Sequence, residues 1–427
     1  AGLSGLSTAY HLEGKKKYII IEKESKVGGL ASSVEKNGFV FDYSGHLLHI
    51  RSEYAKKLVF RLLKDNLLTL KRNSLIYING IRIPYPFQIN LKNLPDKIKS
   101  ECVRDFIRVY KLRQQPSASD WQLSFKEWAL RTFGRGICKY FMFPYNAKLW
   151  QYPLDKLTAD WCAPFVPVPS LIEVLEGAFL KEKTGIGYNP VFYYPEKGGI
   201  QALPDAMAGK IENLKFNAEL TRIDLQNKVA HVRNLGYIKF KYLVNTIPLK
   251  DFVLKIENAP DGILMANSKL KVNSVDVLNL GAKNVKSKIH WTYYPEARFP
   301  FYRVGIASNF SKQVSPAGMA SFYIETAAPD AKSHSKTGEI DIIKNFLKCG
   351  FVKRMPDITE KLRLKIPNAY VIYNKDRQTA LSEIMSYLVK YDIFSIGRYG
   401  GWKYSFMEEN IMEGKETAEK ILNCRCS

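Results

Sequence analysis

Residues 1 to 33, AGLSGLSTAYHLEGKKKYIIIEKESKVGGLASS, restrict the fold more than any other stretch of the chain. Gly2 opens a helix-prone run that lasts to Leu12. A basic turn follows, and Tyr18-Ile19-Ile20-Ile21 makes a short apolar strand that ends at Glu22. This is the second half of a βαβ dinucleotide site. A glycine there lets a helix N-terminus approach a pyrophosphate, whose charge the free N–H groups and the dipole favour, and an acid about 20 residues on accepts the ribose hydroxyls. Gly2 and Glu22 have that spacing. The earlier glycines of the pattern, and the central strand before them, are expected ahead of Ala1, so the chain reads as a fragment.

An ordinary helix-turn-strand would share those features, but Val27-Gly28-Gly29-Leu30-Ala31-Ser32-Ser33 favours the nucleotide site. Paired glycines just past the ribose acid let the backbone fold under a second phosphate and a ribityl chain, a need of FAD more than of NAD. Gly38 to Asp42 then alternates as a strand, and Ser44-Gly45-His46 follows as a tight turn. A glycine there brings backbone within hydrogen-bonding distance of a flat ring, on which an imidazole can stack.

Arg72 to Gly80 and Ile81 to Pro84 read as a hairpin with an Asn79-Gly80 turn. Tyr85-Pro86-Phe87-Gln88 breaks the second strand and presents an aromatic and an amide outward. From Leu94 to Lys183 the chain reads as helices, with amphipathic runs at Trp121 to Phe133 and Ile137 to Phe143 and a turn at Tyr145 to Trp150. Short strands at Leu214 to Ile223, Lys228 to Arg233, Tyr237 to Tyr242 and Leu243 to Pro248 add a small antiparallel layer and a last parallel strand to the nucleotide domain. Residues 256 to 384 alternate as an antiparallel sheet, including Trp291 to Tyr294, Met319 to Thr326 and Ala369 to Tyr373. Ile393 to Trp402 then leads into a helix from Met407 to Leu422. Its Gly397-Arg398 turn is a second place for a phosphate, with Arg398 as counter-charge. The opening and closing glycine turns are expected to clasp one cofactor.

The 427 residues, 46% of them apolar, can bury a large core in two or three domains. No apolar run reaches the ~20 residues of a membrane span, and the expectation is a soluble cytoplasmic protein. The net charge of +23 is scattered over Lys15 to Lys17, Lys56-Lys57, Lys181 to Lys183 and Lys283 to Lys288. Such scatter suits solvated faces better than a nucleic-acid surface. Isolated Cys102, Cys138, Cys162 and Cys349 make neither a zinc pattern nor a disulfide framework. With no P-loop, GxSxG or HExxH, any chemistry must come from the flavin.

Taken together, the half-fingerprint and GG stretch, Ser44-Gly-His46, Ile83-Pro-Tyr-Pro-Phe-Gln88, Phe143-Pro-Tyr-Asn-Ala-Lys-Leu-Trp150, Phe299-Pro-Phe-Tyr-Arg303 and Gly397-Arg-Tyr-Gly-Gly-Trp-Lys-Tyr404 resemble the UDP-galactopyranose mutases of the eukaryotic-type branch. That group lies within the amine oxidase and protoporphyrinogen oxidase superfamily. The resemblance implies an α/β protein with a Rossmann-like FAD-binding domain of the GR2 type (1–70, 188–255 and 385–427), an inserted helical domain (95–187) and an antiparallel-sheet substrate domain (71–94 and 256–384). It also implies a reaction without net redox, in which reduced flavin N5 attacks the anomeric carbon of a nucleotide-linked galactose, the diphosphate leaves, and the sugar ring opens and recloses. The protein's task is then to hold a dianionic leaving group that must return.

The resemblance distributes roles along this sequence. Arg303 faces the diphosphate with the hydroxyls of Tyr293, Tyr370 and Tyr404. Tyr85, Gln88, Asn146 and Trp150 lie toward the uridine, and Asn189 toward the diphosphate or sugar. Gly45 offers its carbonyl to the flavin while His46 stacks on it; Gly2, Glu22, Gly28, Gly29, Leu30, Ser32, Leu220, Gly397 and Arg398 complete the cofactor set. Arg72 and Ser74 match positions near the flavin used in accepting reducing equivalents from NAD(P)H. The chain departs from the mutases at Phe165, where they carry a second diphosphate-clamping arginine; a phenyl ring cannot replace that fork. Either Lys181 or Lys183 reaches in, or the substrate differs. The rival is an oxidoreductase of the same superfamily acting on an amine, porphyrinogen or polyene; Phe165 speaks for it, and Arg303 with its tyrosines against it.

Overall fold

The computed structural model describes residues 1–112, 123–163, 165–182, 184–187 and 189–424. A seven-stranded sheet is built in the order Ile358–Ile372, Lys271–Lys283, Met319–Ala328, Arg303–Ile306, Trp291–Tyr293, Ser74–Ile78 and Ile81–Pro84. Neighbours are antiparallel throughout, save for one parallel joint between Trp291–Tyr293 and Ser74–Ile78. The hairpin at one edge turns on Asn79 and Gly80, whose φ of 48° and 81° are the left-handed pair that a tight two-residue loop requires. At the other edge, Ile358–Ile372 is far longer than its Ala369 to Tyr373 portion suggests. Its first half alternates Thr359, Lys361, Arg363 and Lys365 with more apolar positions because one face meets solvent, and Pro367 sits where the register slips beside Asn273.

The nucleotide-site elements come from the start, middle and end of the chain. Ile20–Ile21 pairs in parallel with Leu214–Lys215, and Leu243–Asn245 with Ile393–Ser395, while a three-stranded meander runs over Leu220–Asp224, Val229–Val232 and Gly236–Lys239. The helix Leu3–Leu12 packs along Met407–Asn423. Between these lie the helices Asp96–Leu112, Phe125–Ile137, Phe143–Trp150 and Leu171–Phe179. Ser124 and Ser170 start two of them with capping boxes, closed by Glu127 and Glu173. Tyr145 to Trp150 is therefore helical rather than a turn; left-handed Gln151 ends the helix ahead of Pro153. Trp121, the expected start of an amphipathic run, lies outside the described residues. Among the described residues, no helix is long and apolar enough to cross a membrane.

Candidate active site

Strand register lines up two rows of side chains on one face of the large sheet. One row runs Ser74, Trp291, Gly305, Tyr323, Asn279; the next, two positions along each strand, runs Ile76, Tyr293, Arg303, Glu325, Val277. In the second row, Arg303 donates from Nε to Glu325 Oε2 at 2.8 Å and from Nη2 to Oε1 at 2.6 Å, and Nη2 also reaches Ser44 Oγ at 3.2 Å. Ser44 in turn donates to Glu325. The carboxylate is wholly buried at 0% exposure, so its partner must be a fixed cation. Burial opposes the charge on Arg303, but Glu325 together with the Tyr323 and Tyr370 phenols outweighs it and raises the guanidinium pKa further. Nη1 is the nitrogen of the fork that neither Glu325 nor Ser44 engages.

The first row carries the Gly45-His46 turn. Tyr323 lies flat between two glycines: a methyl on Gly305 would fall 1.9 Å from its Cζ, and one on Gly45 would fall 2.3 Å from its hydroxyl oxygen. His46 Nδ1 and Ser74 Oγ are buried with no hydrogen-bond partner among the described residues. Burial, then the charges of Arg398 and Arg303, push His46 down to about 4, so its ring is neutral near pH 7. A neutral plane, a glycine without a side chain and two unsatisfied polar atoms fit a flat polar heterocycle such as a flavin ring.

The low value has a consequence for stability. Because His46 sits below its ordinary 6.5, the unfolded chain binds the extra proton between pH 6.5 and about 4, and His46 contributes stability that is lost as pH falls through that window. His46→Gln is expected to flatten the fall of the urea midpoint over that window. The flattening is partial, because burial pushes His290 down to about 4 as well. A pH profile unchanged by the substitution contradicts this.

An aromatic wall stands over the rows. The Tyr293 ring is 5.3 Å from Tyr145 and 5.4 Å from Tyr85, and Tyr370 stacks on Tyr404 at 5.8 Å and 15°. Phe165 meets Tyr404 edge-on at 4.5 Å. Burial raises the phenols of Tyr85, Tyr145, Tyr293 and Tyr370, which keeps them hydrogen-bond donors at neutral pH. The buried Arg72 guanidinium lies 4.9 Å over the Tyr85 ring and donates to Asn189 Oδ1 and the Ile186 carbonyl. Three guanidiniums, of Arg72, Arg303 and Arg398, thus surround these phenols with Glu325 as the carboxylate among them, so the wall is positive overall.

At the nucleotide end, Gly2 and Gly28 form a parallel bridge and a methyl on Gly29 would fall 3.5 Å from Gly2 Cα, so the two glycine stretches form one cradle. Gly28 and Gly29 hold φ of 119° and 58°, which other residues rarely adopt. Ser32 Oγ donates to the Gly29 carbonyl at 2.7 Å, with Leu30 partly buried alongside. Glu22 lies just past Ile20–Ile21, at the carboxyl end of a parallel strand. Its carbonyl accepts from Ala218 at 2.8 Å, which places the Leu220 strand next to it. The closing turn is adjacent too, since a methyl on Gly397 would fall 2.4 Å from Ser4 Oγ.

Several of the expected site residues also have partners within the chain. In the Gly397-Arg398 turn the Gly397 N–H goes to Glu413 at 2.8 Å and the Arg398 N–H to Asn410 at 2.9 Å. The Arg398 guanidinium donates to the Ala369 and Ser405 carbonyls at 2.8 and 3.2 Å and lies 4.5 Å over Tyr404, so it braces the aromatic wall. Trp150 Nε1 donates to Asn146 Oδ1 at 3.1 Å while Asn146 Nδ2 donates to Met142 at 2.8 Å; one helical turn apart, they satisfy each other and pack in the core. The Gln88 amide nitrogen donates to the Pro167 carbonyl at 2.6 Å. Asn189 and Arg72 are each other's partners. Lys181 is exposed, and Lys183 lies outside the described residues.

Sequence reasoning missed Glu325, Ser44, Tyr323 and Tyr145. Glu325 carried a signal, being the lone acid inside the apolar strand Met319–Ala328, and an unpaired carboxylate does not stay buried.

Comparison with known proteins follows this geometry. A family model described as flavin containing amine oxidoreductase matches residues 3–291. A reduced UDP-galactopyranose mutase is 26% identical and superposes with a TM-score of 0.92 over 100% of this chain and 95% of that chain. A fatty acid isomerase from P. acnes that produces CLA shares the fold at 15% identity, with a TM-score of 0.67 over 98% and 96% of the two chains. So does a putrescine oxidase bound to putrescine, at 15% identity and a TM-score of 0.66 over 99% and 97%.

Proposed function

Because the chain belongs to the flavin containing amine oxidoreductase family, we propose that it is an FAD-dependent mutase interconverting the pyranose and furanose forms of a nucleotide sugar, of the UDP-galactopyranose type. The observation that carries this reading is the Tyr293-Arg303-Glu325 row beside the Gly45-His46 turn. A guanidinium with one nitrogen unengaged among the described residues, ringed by phenol donors, suits a diphosphate that leaves and comes back. An amine or a polyene would have no use for it.

In this reading Gly2, Glu22, Gly28, Gly29 and Ser32 hold the nucleotide end of FAD, with Leu220 beside the ribose acid. Gly45, His46 and Ser74 meet its ring. The reduced cofactor, with NAD(P)H as the source of electrons, supplies the nucleophile for the anomeric carbon. The chain's own part is to place and retain charge. Arg303 Nη1 faces the leaving diphosphate, and the hydroxyls of Tyr293, Tyr370 and Tyr404 donate to its oxygens. Neutral His46 covers the ring without competing for the anion. Tyr85 borders the nucleoside side and Arg72 keeps it in place. The nucleotide-binding elements from the two ends of the chain and its middle form one domain around the helical insertion, and the large sheet is the substrate floor.

Chemically reduced protein incubated with UDP-galactofuranose should yield UDP-galactopyranose by HPLC; absence of conversion under reducing conditions defeats the mutase. Phe165 favours the second reading, an oxidoreductase of the same family, since it leaves one edge of the wall apolar. That reading predicts hydrogen peroxide from an amine substrate and no sugar conversion. Under the mutase reading, Phe165→Arg adds a second cation at the Tyr404 edge and is expected to tighten UDP about tenfold, roughly 1.4 kcal/mol. A fluorescence titration that shows no tightening removes Phe165 from the diphosphate edge.

A further inference from the structure

Arg377, the first residue of the Arg377–Val389 helix, and Tyr373, just past the Ile358–Ile372 strand, grip the turn that carries Tyr404. Arg377, buried, donates from Nε and Nη2 to the Trp402 carbonyl at 3.1 and 2.5 Å, and its guanidinium lies 4.1 Å over the Tyr373 ring. The Tyr373 hydroxyl accepts the Tyr404 N–H at 2.9 Å. Backbone is thus held on both sides of Lys403. The residue between these grips and the glycine turn is unusual: Trp402 is fully buried at φ 48°, a left-handed conformation that a bulky side chain adopts only when its surroundings impose it. Tyr373 also reaches the other way, its carbonyl accepting the Thr158 N–H at 2.6 Å and Oγ1 at 2.9 Å. Thr158 begins the loop that leads to Phe165.

The Tyr404 ring is set by stacking on Tyr370, by the Arg398 guanidinium over its face and by the edge-on Phe165, contacts that tolerate sliding. Its exact place therefore depends on the backbone beneath it. We propose that Arg377 and Tyr373 are positioning residues which impose the left-handed turn at Trp402 and so set Tyr404 against Phe165 at the leaving-group edge. This rests on the mutase reading, in which the Tyr404 hydroxyl meets the diphosphate.

The test uses Arg377→Met, which removes the grip on Trp402, and Tyr373→Phe, which removes only the acceptor for the Tyr404 N–H. UDP affinity is titrated, and the Tyr404 ring is followed by fluorine NMR of 3-fluorotyrosine-labelled protein, its resonance assigned by its loss in Tyr404→Phe. Each substitution should move that resonance and weaken UDP about tenfold, and each should change affinity less than about twofold once Tyr404 is already Phe. An unmoved resonance, or penalties that simply add in the Tyr404→Phe chain, overturns the proposal. If Arg377→Met does not fold, Tyr373→Phe decides alone. A parent chain that ignores UDP defeats the mutase reading, while the resonance still decides the positioning role.

Discussion

Arg303→Met should destabilise the protein by about 3–5 kcal/mol and abolish UDP binding, through different parts of the same side chain. The stability loss comes from Glu325, which at 0% exposure would be left as an uncompensated charge with Ser44 as its remaining donor. The binding loss comes from Nη1 and the positive field. The two separate in the double variant Arg303→Met/Glu325→Met, since replacing a buried ion pair by apolar groups of similar volume is close to neutral. That variant should recover most of the urea midpoint and none of the affinity. A single variant as stable as the parent would mean that water reaches Glu325. A double variant that still binds UDP would remove Arg303 from the binding site.

The second large effect is steric. Gly305→Ala places a methyl 1.9 Å from Tyr323 Cζ and 2.2 Å from Cε1, and the ring cannot retreat because Gly45 lies against its hydroxyl. Overpacking of this kind is expected to cost about 3 kcal/mol and to empty the protein of flavin, read from the absorbance of the purified chain. Gly45→Ala clashes first with the hydroxyl, at 2.3 Å. Tyr323→Phe should therefore restore part of the flavin content of Gly45→Ala and none of that of Gly305→Ala. Equal rescue of both would mean that the ring shifts as a body, and the turn would not be registered by Tyr323.

What could be read before the structure follows the range of the forces involved. Local signals were legible: the Gly28-Gly29 cradle and the Asn79-Gly80 hairpin each depend on backbone geometry that a few residues dictate. The mixed α/β architecture followed from the βαβ half-fingerprint and the family resemblance. The side-chain pairings across strands were not legible, because Arg303 and Glu325 meet only through the register of Arg303–Ile306 on Met319–Ala328. Nor could roles inferred by position show which polar groups find partners within the chain. Asn146 and Trp150 close a bond within one helix, and Arg398 donates to two backbone carbonyls. Charge type was visible in the sequence; the acceptor each charge finds was set by tertiary packing.

The single parallel joint in the large sheet sets when the binding floor can exist. Asn73 and His290, bonded where Ser74–Ile78 meets Trp291–Tyr293, are 217 positions apart, and a parallel crossover cannot be made by a local turn. Closing so long a loop carries an entropic penalty that nearby contacts must offset before the joint forms. The half-sheet bearing Arg303 and Glu325 can be complete while Ser74 is still elsewhere. A nascent chain halted inside the Lys271–Lys283 strand would hold Ser74–Ile78 but not the Trp291–Tyr293 strand beside which it lies, and so could not yet assemble the binding floor.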